Sequence, residues 1–239
     1  MNRIIIYGGK GRDGQSELEK IELSAGEMIS VVGPTGAGKT QLINDINCRA
    51  NNDTPSDRRI VFEGFENLSI AIVSQHNSFL SDLPVAEFLK IHASIRGKEG
   101  LVQETIDFAN QLTGEKIVPD ISMTELSGGQ TRSLLIADAL VISDSPIVLL
   151  DEIENAGINK NKILEILGTY NKILVFVSHD PRIILMCSKR IVMKNGGIIS
   201  VIETSELEKN FYQELVLIDE DMNKIRNKLR DGDSVKEEI

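Results

Sequence analysis

Met28-Ile29-Ser30-Val31-Val32-Gly33-Pro34-Thr35-Gly36-Ala37-Gly38-Lys39-Thr40 is the stretch that decides the fold of this chain. Its first five residues read as a short buried strand, and from Thr40 onward Leu42, Ile43 and Ile46 recur at helical spacing. Between the two, Gly33 to Thr40 fits G-x-x-x-x-G-K-[ST], a loop whose backbone N–H groups cradle phosphates. A triphosphate carries several negative charges and needs many donors at short range. Glycines at 33, 36 and 38 let backbone amides come close, and the helix N-terminus adds a favourable dipole. Pro34, Thr35 and Ala37 complete the loop, Lys39 brings a full positive charge to the β- and γ-phosphates, and Thr40 offers a hydroxyl to Mg²⁺. Strand, glycine loop and helix in that order make the pattern a candidate site.

Working outward, Ile4-Ile5-Ile6-Tyr7 predicts a strand, followed by a turn rich in glycine at 8, 9, 11 and 14. Leu18 to Leu23 alternates apolar and charged residues as a half-buried strand does, and Ile60 to Phe62 and Ile70 to Val73 predict two more. From Pro84 to Thr124 the apolar residues take helical spacing, predicting a helical lobe at about 77–125. Pro146 to Leu150 is a continuous apolar run ending in Asp151-Glu152, as a parallel strand buried on both faces would be. Ile173 to Val177 repeats the design and ends at Ser178-His179-Asp180. Ligands collect at the carboxyl ends of such strands. Asp151 is therefore the candidate holder of Mg²⁺, and Glu152 the candidate general base that polarises a water for in-line attack on the γ-phosphate. The fold class expected is α/β: a phosphate-loop core of largely parallel strands with flanking helices, an N-terminal antiparallel β layer and a helical lobe.

Over residues 205–230, Leu207, Phe211, Leu215, Ile218, Met222, Ile225 and Leu229 follow one another at steps of 4, 4, 3, 4, 3 and 4. That spacing predicts a long helix with an apolar seam, able to pack on its own domain or to pair with another chain. Two regions are expected: 1–204 as the catalytic domain and 205–239 as an acidic amphipathic helix and tail.

Composition bounds the function. The net charge of −10 argues against a nucleic-acid partner held by a basic surface. Half of that excess sits in residues 203–239, where eleven acids outnumber six bases. No apolar run approaches the roughly 20 residues of a membrane span, and the first residues lack a signal peptide's apolar segment, so a cytoplasmic protein is expected. Cys48 and Cys187 lack metal-ligand spacing and are expected to be buried free thiols.

Leu126-Ser127-Gly128-Gly129-Gln130 narrows the field much further. With the phosphate loop it resembles the signature motif of the ATP-binding-cassette (ABC) ATPases, in which one subunit closes over ATP held by another. The resemblance covers nearly the whole chain in the family's order. It implies that Gln75 follows a strand, bridges the lobes and touches Mg²⁺ and the lytic water. It implies that Ser78 to Val85 enters the helical lobe, and that His179 contacts the γ-phosphate. Tyr7 is the candidate aromatic that stacks on adenine. Ser127, Gly128, Gly129 and Gln130 of one chain would meet the γ-phosphate held by Lys39 of the other.

Some residues depart from the family's pattern. Asp151-Glu152 is followed by Ile153 to Asn159, where a Pro and a Ser-Ala-Leu-Asp-like turn are usual. Thr131, Arg132 and Ser133 follow Gln130, and Asp138 takes a commonly basic place. The resemblance implies an ATPase subunit, binding ATP and Mg²⁺ and pairing with a second such subunit. It would energise a separately encoded membrane transporter, reaching the membrane's inner face through that partner. The alternative is a soluble relative that remodels a protein or cofactor complex. A nucleotide-gated module without catalysis is the third class, and Glu152 counts against it.

Overall fold

The computed structural model describes residues 1–74, 82–153, 162 and 169–232. Among them, two sheets carry the fold. The smaller has the order β2-β1-β4, with β1 (Arg3–Tyr7) antiparallel to both β2 (Lys20–Ser24) and β4 (Arg59–Glu63). The larger has the order β5-β6-β7-β3-β8-β9, built from β3 (Met28–Val32), β5 (Ile70–Val73), β6 (Ile147–Asp151), β7 (Ile173–Val177), β8 (Lys189–Lys194) and β9 (Gly197–Glu203). Its strands run parallel except β9, which returns antiparallel to β8. This is the α/β architecture expected, with the antiparallel layer contributed by the N-terminal third.

The apolar runs explain the layering. Successive side chains of a strand point to opposite faces. Along β6, Ile147 and Leu149 join the cluster between the two sheets, while Val148 and Leu150 join a second cluster on the other face. Along β7, Ile173, Val175 and Val177 take the first side, and Leu174 and Phe176 the second. A strand buried on both faces has no use for alternation, hence the unbroken apolar sequence. The first cluster also receives Leu42, Ile43 and Ile46 of α1 (Lys39–Cys48), all buried. Each contributes roughly 1.5–3 kcal/mol relative to exposure and fixes α1 beneath the sheet.

The stretch expected to be helical divides into α2 (Val85–Ile95), α3 (Val102–Leu112) and short 3₁₀ turns at Glu99–Leu101 and Met123–Glu125. With α4 (Gly128–Leu140) these share an apolar cluster of their own that includes Leu89, Ala93, Ile106, Ala109 and Leu134. Among the described residues, two further helices follow, α5 (Pro181–Met186) and α6 (Glu206–Arg230). Ser205 caps α6: its Oγ accepts the Glu208 amide, and the Glu208 carboxylate accepts the Ser205 amide. Cys187 is buried, which pushes its thiol up to about 12. Cys48 is exposed, contrary to expectation, because it follows the last buried turn of α1. No helix among the described residues is long and apolar enough to cross a membrane.

Candidate functional site

β3 is an inner strand, paired to β7 on one side and β8 on the other, so its carboxyl end opens near the middle of the sheet. There the chain leaves through Gly33 (φ 151°), where a Cβ would fall 2.3 Å from the Met193 carbonyl oxygen of β8. Only glycine tolerates that approach. Gly36 (φ 78°) and Gly38 (φ 97°) take left-handed backbone, and Gly38 caps α1 with no side chain in the way. The amides of the helix's first turn therefore face an open site. Lys39 is buried, and its Nζ donates to the carbonyls of Gly33 at 2.9 Å and Pro34 at 3.3 Å. The ammonium is thus held over the loop it serves.

A cavity of about 350 Å³ opens above this loop, lined by Thr35 to Thr40, Arg12, Gln41, Asn44, Glu152 and His179. Phosphate loop, acidic residue and histidine, far apart in sequence, share one wall. The sheet brings them together: β6 and β7 are neighbours, and Glu152 and His179 follow their ends. The Glu152 amide donates to the Val177 carbonyl at 2.9 Å, locking the two strand ends. Glu152 Oε1 then lies 3.9 Å from His179 Nε2. Glu152 adopts φ 50°, sparsely populated for a residue with a Cβ and a conformation that recurs at functional sites. Asp151, the last residue of β6, is half-buried beside it. Gln75 and Asn159 lie outside the described residues.

The donors fit a nucleoside triphosphate: backbone amides, an ammonium, the Thr35 and Thr40 hydroxyls and a helix N-terminus. The oxygen ligands at hand, the Thr40 hydroxyl and the Asp151 and Glu152 carboxylates, suit a hard divalent cation that keeps water and phosphate in its shell.

Tyr7 is not among the residues lining the cavity. It ends β1 opposite Arg59 of β4, whose guanidinium sits 4.4 Å from the ring centroid. Arg12, which drew no notice in the sequence, lines the cavity instead. Its amide donates to the Asn195 carbonyl at 2.6 Å, and its side chain crosses Gly196 in the β8–β9 turn. That turn also braces the loop, since the Gly196 amide donates to the Ala37 carbonyl at 3.0 Å.

Behind the turn lies another feature with no linear signal. Arg58 is fully buried and donates to Asp45 of α1 at 2.7 Å, to both carboxylate oxygens of Glu17, and to the Gly196 carbonyl at 2.9 Å. One guanidinium thus ties the small sheet, α1 and the bracing turn together.

The signature residues form a separate half. Ser127 is the N-cap of α4, where its Oγ accepts the Gln130 amide at 3.3 Å and Gln130 Oε1 accepts the Ser127 amide at 2.9 Å. Gln130 is buried, and its Nε2 donates to the Lys116 carbonyl at 3.2 Å. This glutamine shapes the helix start. Since the Ser127 oxygen is used as an acceptor, its hydroxyl proton is available to a ligand, beside the amides of Gly128 and Gly129. None of these residues lines the phosphate-loop cavity. The unusual Asp138 also finds a use: its carboxylate accepts from His92 Nδ1 at 2.7 Å, joining α4 to α2.

Comparison with known proteins gives the family and the fold. Residues 19–155 match the ABC transporter family. An uncharacterized ABC transporter ATP-binding protein of Methanocaldococcus jannaschii is 45% identical over 100% of this chain and 96% of its own length. The ATP-binding protein LolD of the lipoprotein-releasing system of Bacteroides fragilis is 29% identical, over 75% of this chain and 90% of that one. Among solved structures, a dimeric ATP-binding cassette in a post-hydrolysis state, bound to ADP and Pi, superposes with a TM-score of 0.61. It is 22% identical and covers 86% of this chain and 99% of that one, so it supports the fold. With a phosphate loop, an Asp-Glu strand end and a capped signature helix in the family's order, the chain belongs to the ABC transporter family, as one of its ATP-binding and ATP-hydrolysing subunits.

Proposed function

We propose that two copies of this chain bind two ATP molecules head to tail and, through hydrolysis, drive a separately encoded membrane transporter. One observation carries the pairing: the phosphate-loop cavity receives Glu152 and His179 from its own chain, while Ser127, Gly128 and Gly129 stand apart at an open helix N-terminus. Each half lacks what the other offers. In the pair, Lys39 and the loop amides hold the β- and γ-phosphates, Thr40 and Asp151 hold Mg²⁺, and the partner's signature amides and Ser127 hydroxyl close on the γ-phosphate. Bound Mg²⁺ supplies charge neutralisation at the phosphates. Glu152 takes the proton of the attacking water, and His179, 3.9 Å away, orients the water and contacts the γ-phosphate. Gln75 completes this set in the family's pattern. Loss of the γ-phosphate removes the charge both halves grip, and the pair reopens.

Supporting the transporter reading, the family match and the full-length relative both carry that association in their names. An apolar groove of about 390 Å³ between α2 and α4, with Ile91 and Ile95 exposed at its edge, gives an apolar segment of the membrane partner a place to bind. We assign catalysis to 1–204, with the helical lobe at about 77–125.

The test is the Glu152→Gln variant. Turnover should fall by about 10²–10⁴-fold while ATP binding persists and an ATP-bound dimer accumulates in light scattering. Normal turnover removes Glu152 as the base. Lys39→Ala should abolish ATP binding, and unchanged affinity would refute the phosphate-loop assignment. Affinity capture of Glu152→Gln from detergent-solubilised cells should bring down a multi-span membrane protein. A soluble partner alone would favour complex remodelling.

A further inference from the structure

Helix α6 presents two faces with different fates. One is tied to the body: Glu208 pairs with Arg190 at 2.7 Å, Asp219 with Arg182, and Tyr212 packs on the cluster under the large sheet. About 60–100° further round the helix lies an apolar stripe that is largely exposed among the described residues. Leu207, Phe211, Ile218, Met222 and Leu229 are all exposed, Phe211 by 60% and Ile218 by 59%, and Ile225 is half-buried among them. At 100° per residue these six fall within about 60° of one another, a narrow seam along the full helix. Scattered surface apolar residues need no explanation, but an aligned row of this length does.

The charges along the helix say what covers it. Residues 206–221 hold six acids (Glu206, Glu208, Glu214, Asp219, Glu220, Asp221) and one base, Lys209. Residues 222–230 hold four bases (Lys224, Arg226, Lys228, Arg230) and no acid. A second copy laid antiparallel sets each acidic half against a basic half; laid parallel, it sets acid on acid. The seam has the matching symmetry about Ile218: Leu207 and Leu229 lie eleven residues to either side, and Phe211 and Ile225 seven. A two-fold axis through Ile218 therefore places Leu207 opposite Leu229 and Phe211 opposite Ile225. Self-complementarity of this kind is what an isologous interface requires.

We propose that α6 is a second, nucleotide-independent dimer interface, in which two copies pair antiparallel through the Leu207–Leu229 seam. It is distinct from the ATP-driven pairing and stands whether or not that reading holds. Its consequence is that two copies remain tethered after hydrolysis, so that the catalytic faces separate without the subunits parting.

Light scattering of the full chain without nucleotide should give a dimer at micromolar concentration. Ile218→Glu, which buries a charge on the axis, should weaken it at least about tenfold while the circular-dichroism spectrum of the folded chain is unchanged, since Ile218 is exposed in the single chain. Lys39→Ala should dimerise like the natural chain, separating this contact from any that needs ATP. Reversing Lys224, Arg226, Lys228 and Arg230 to Glu should give a monomer. So should reversing Glu206, Glu214, Glu220 and Asp221 to Lys, and mixing the two should restore a heterodimer. Direction is read by disulfide trapping in a Cys48→Ser background. Leu207→Cys should cross-link with Leu229→Cys and not with itself. A nucleotide-free monomer, which leaves the stripe to another protein, or a Leu207 self-cross-link overturns the proposal.

Discussion

The Nη2 of Arg58 donates to the Gly196 carbonyl at 2.9 Å, while Gly196 in turn donates its amide to Ala37 within the phosphate loop at 3.0 Å. A buried cation at the entry to one sheet thus fixes the turn that braces the catalytic loop on the other. The loop's shape depends on this support as well as on its own glycines.

Arg58→Met should destabilise the chain by about 3–5 kcal/mol, because it leaves the buried carboxylates of Asp45 and Glu17 without their countercharge. Urea unfolding measures this. Adding Glu17→Gln and Asp45→Asn should recover part of the loss by removing the stranded charges. Full stability in Arg58→Met alone would mean the network contributes nothing.

Ser127 serves the helix cap and, in our reading, the partner's γ-phosphate, and two substitutions separate those tasks. Ser127→Ala should cost about 1 kcal/mol in unfolding and also reduce turnover. Ser127→Asp keeps a good N-cap but sets a carboxylate against phosphate. It should fold normally and fail to form the ATP-bound dimer when introduced with Glu152→Gln. A dimer of undiminished affinity would remove Ser127 from the site.

Arg12 lines the cavity and Tyr7 does not. Arg12→Ala should weaken ATP binding by about tenfold, as expected for a guanidinium acting on a phosphate or a base face. Tyr7→Ala should change it less, since that ring faces Arg59. Fluorescence titration with a labelled nucleotide decides between them, and the opposite ranking would restore Tyr7 as the base-stacking residue.

Glu208 anchors the start of α6, and its hydrogen bond from Arg190, with that from the Ser205 amide, holds its carboxyl down at about 2. A carboxylate depressed on folding adds stability that is fully present above its unfolded value, roughly 4.3, and is lost as pH falls through the folded value. Glu208→Gln should therefore be less stable than the natural chain at pH 7. That difference should shrink between about pH 4.5 and 2 and vanish below. Parallel thermal unfolding of the two proteins across that range is the measurement. A gap independent of pH would show that ionisation of Glu208 plays no part.

Much of the site was legible because its local pieces are self-contained. A strand, a glycine loop and a helix lie consecutively at 28–48, and the two apolar runs at 147–151 and 173–177 each deliver one polar residue at their ends. The β8–β9 hairpin is absent from the expectations above, although Asn195-Gly196 between two apolar stretches is a strong turn signal, with φ of 51° and 85° at the pair. For α6 the spacing fixed a helix and a seam, and left its partner open. The structure divides the answer: Tyr212, Glu208 and Asp219 pack on the body, and the stripe from Leu207 to Leu229 stays outside.

By itself, the amino-acid order determined the phosphate loop, the strand ends at Asp151 and Glu152 and the signature run at Leu126 to Gln130. Each is a run of neighbours whose backbone preference and chemistry act locally. Only the tertiary structure decided that Arg12 rather than Tyr7 lines the cavity, that Arg58 reaches the bracing turn at Gly196 across 138 residues, and that Glu152 meets His179. Those relationships depend on which strands pair and how sheets stack, and a sheet's pairing joins residues without regard to their distance along the chain.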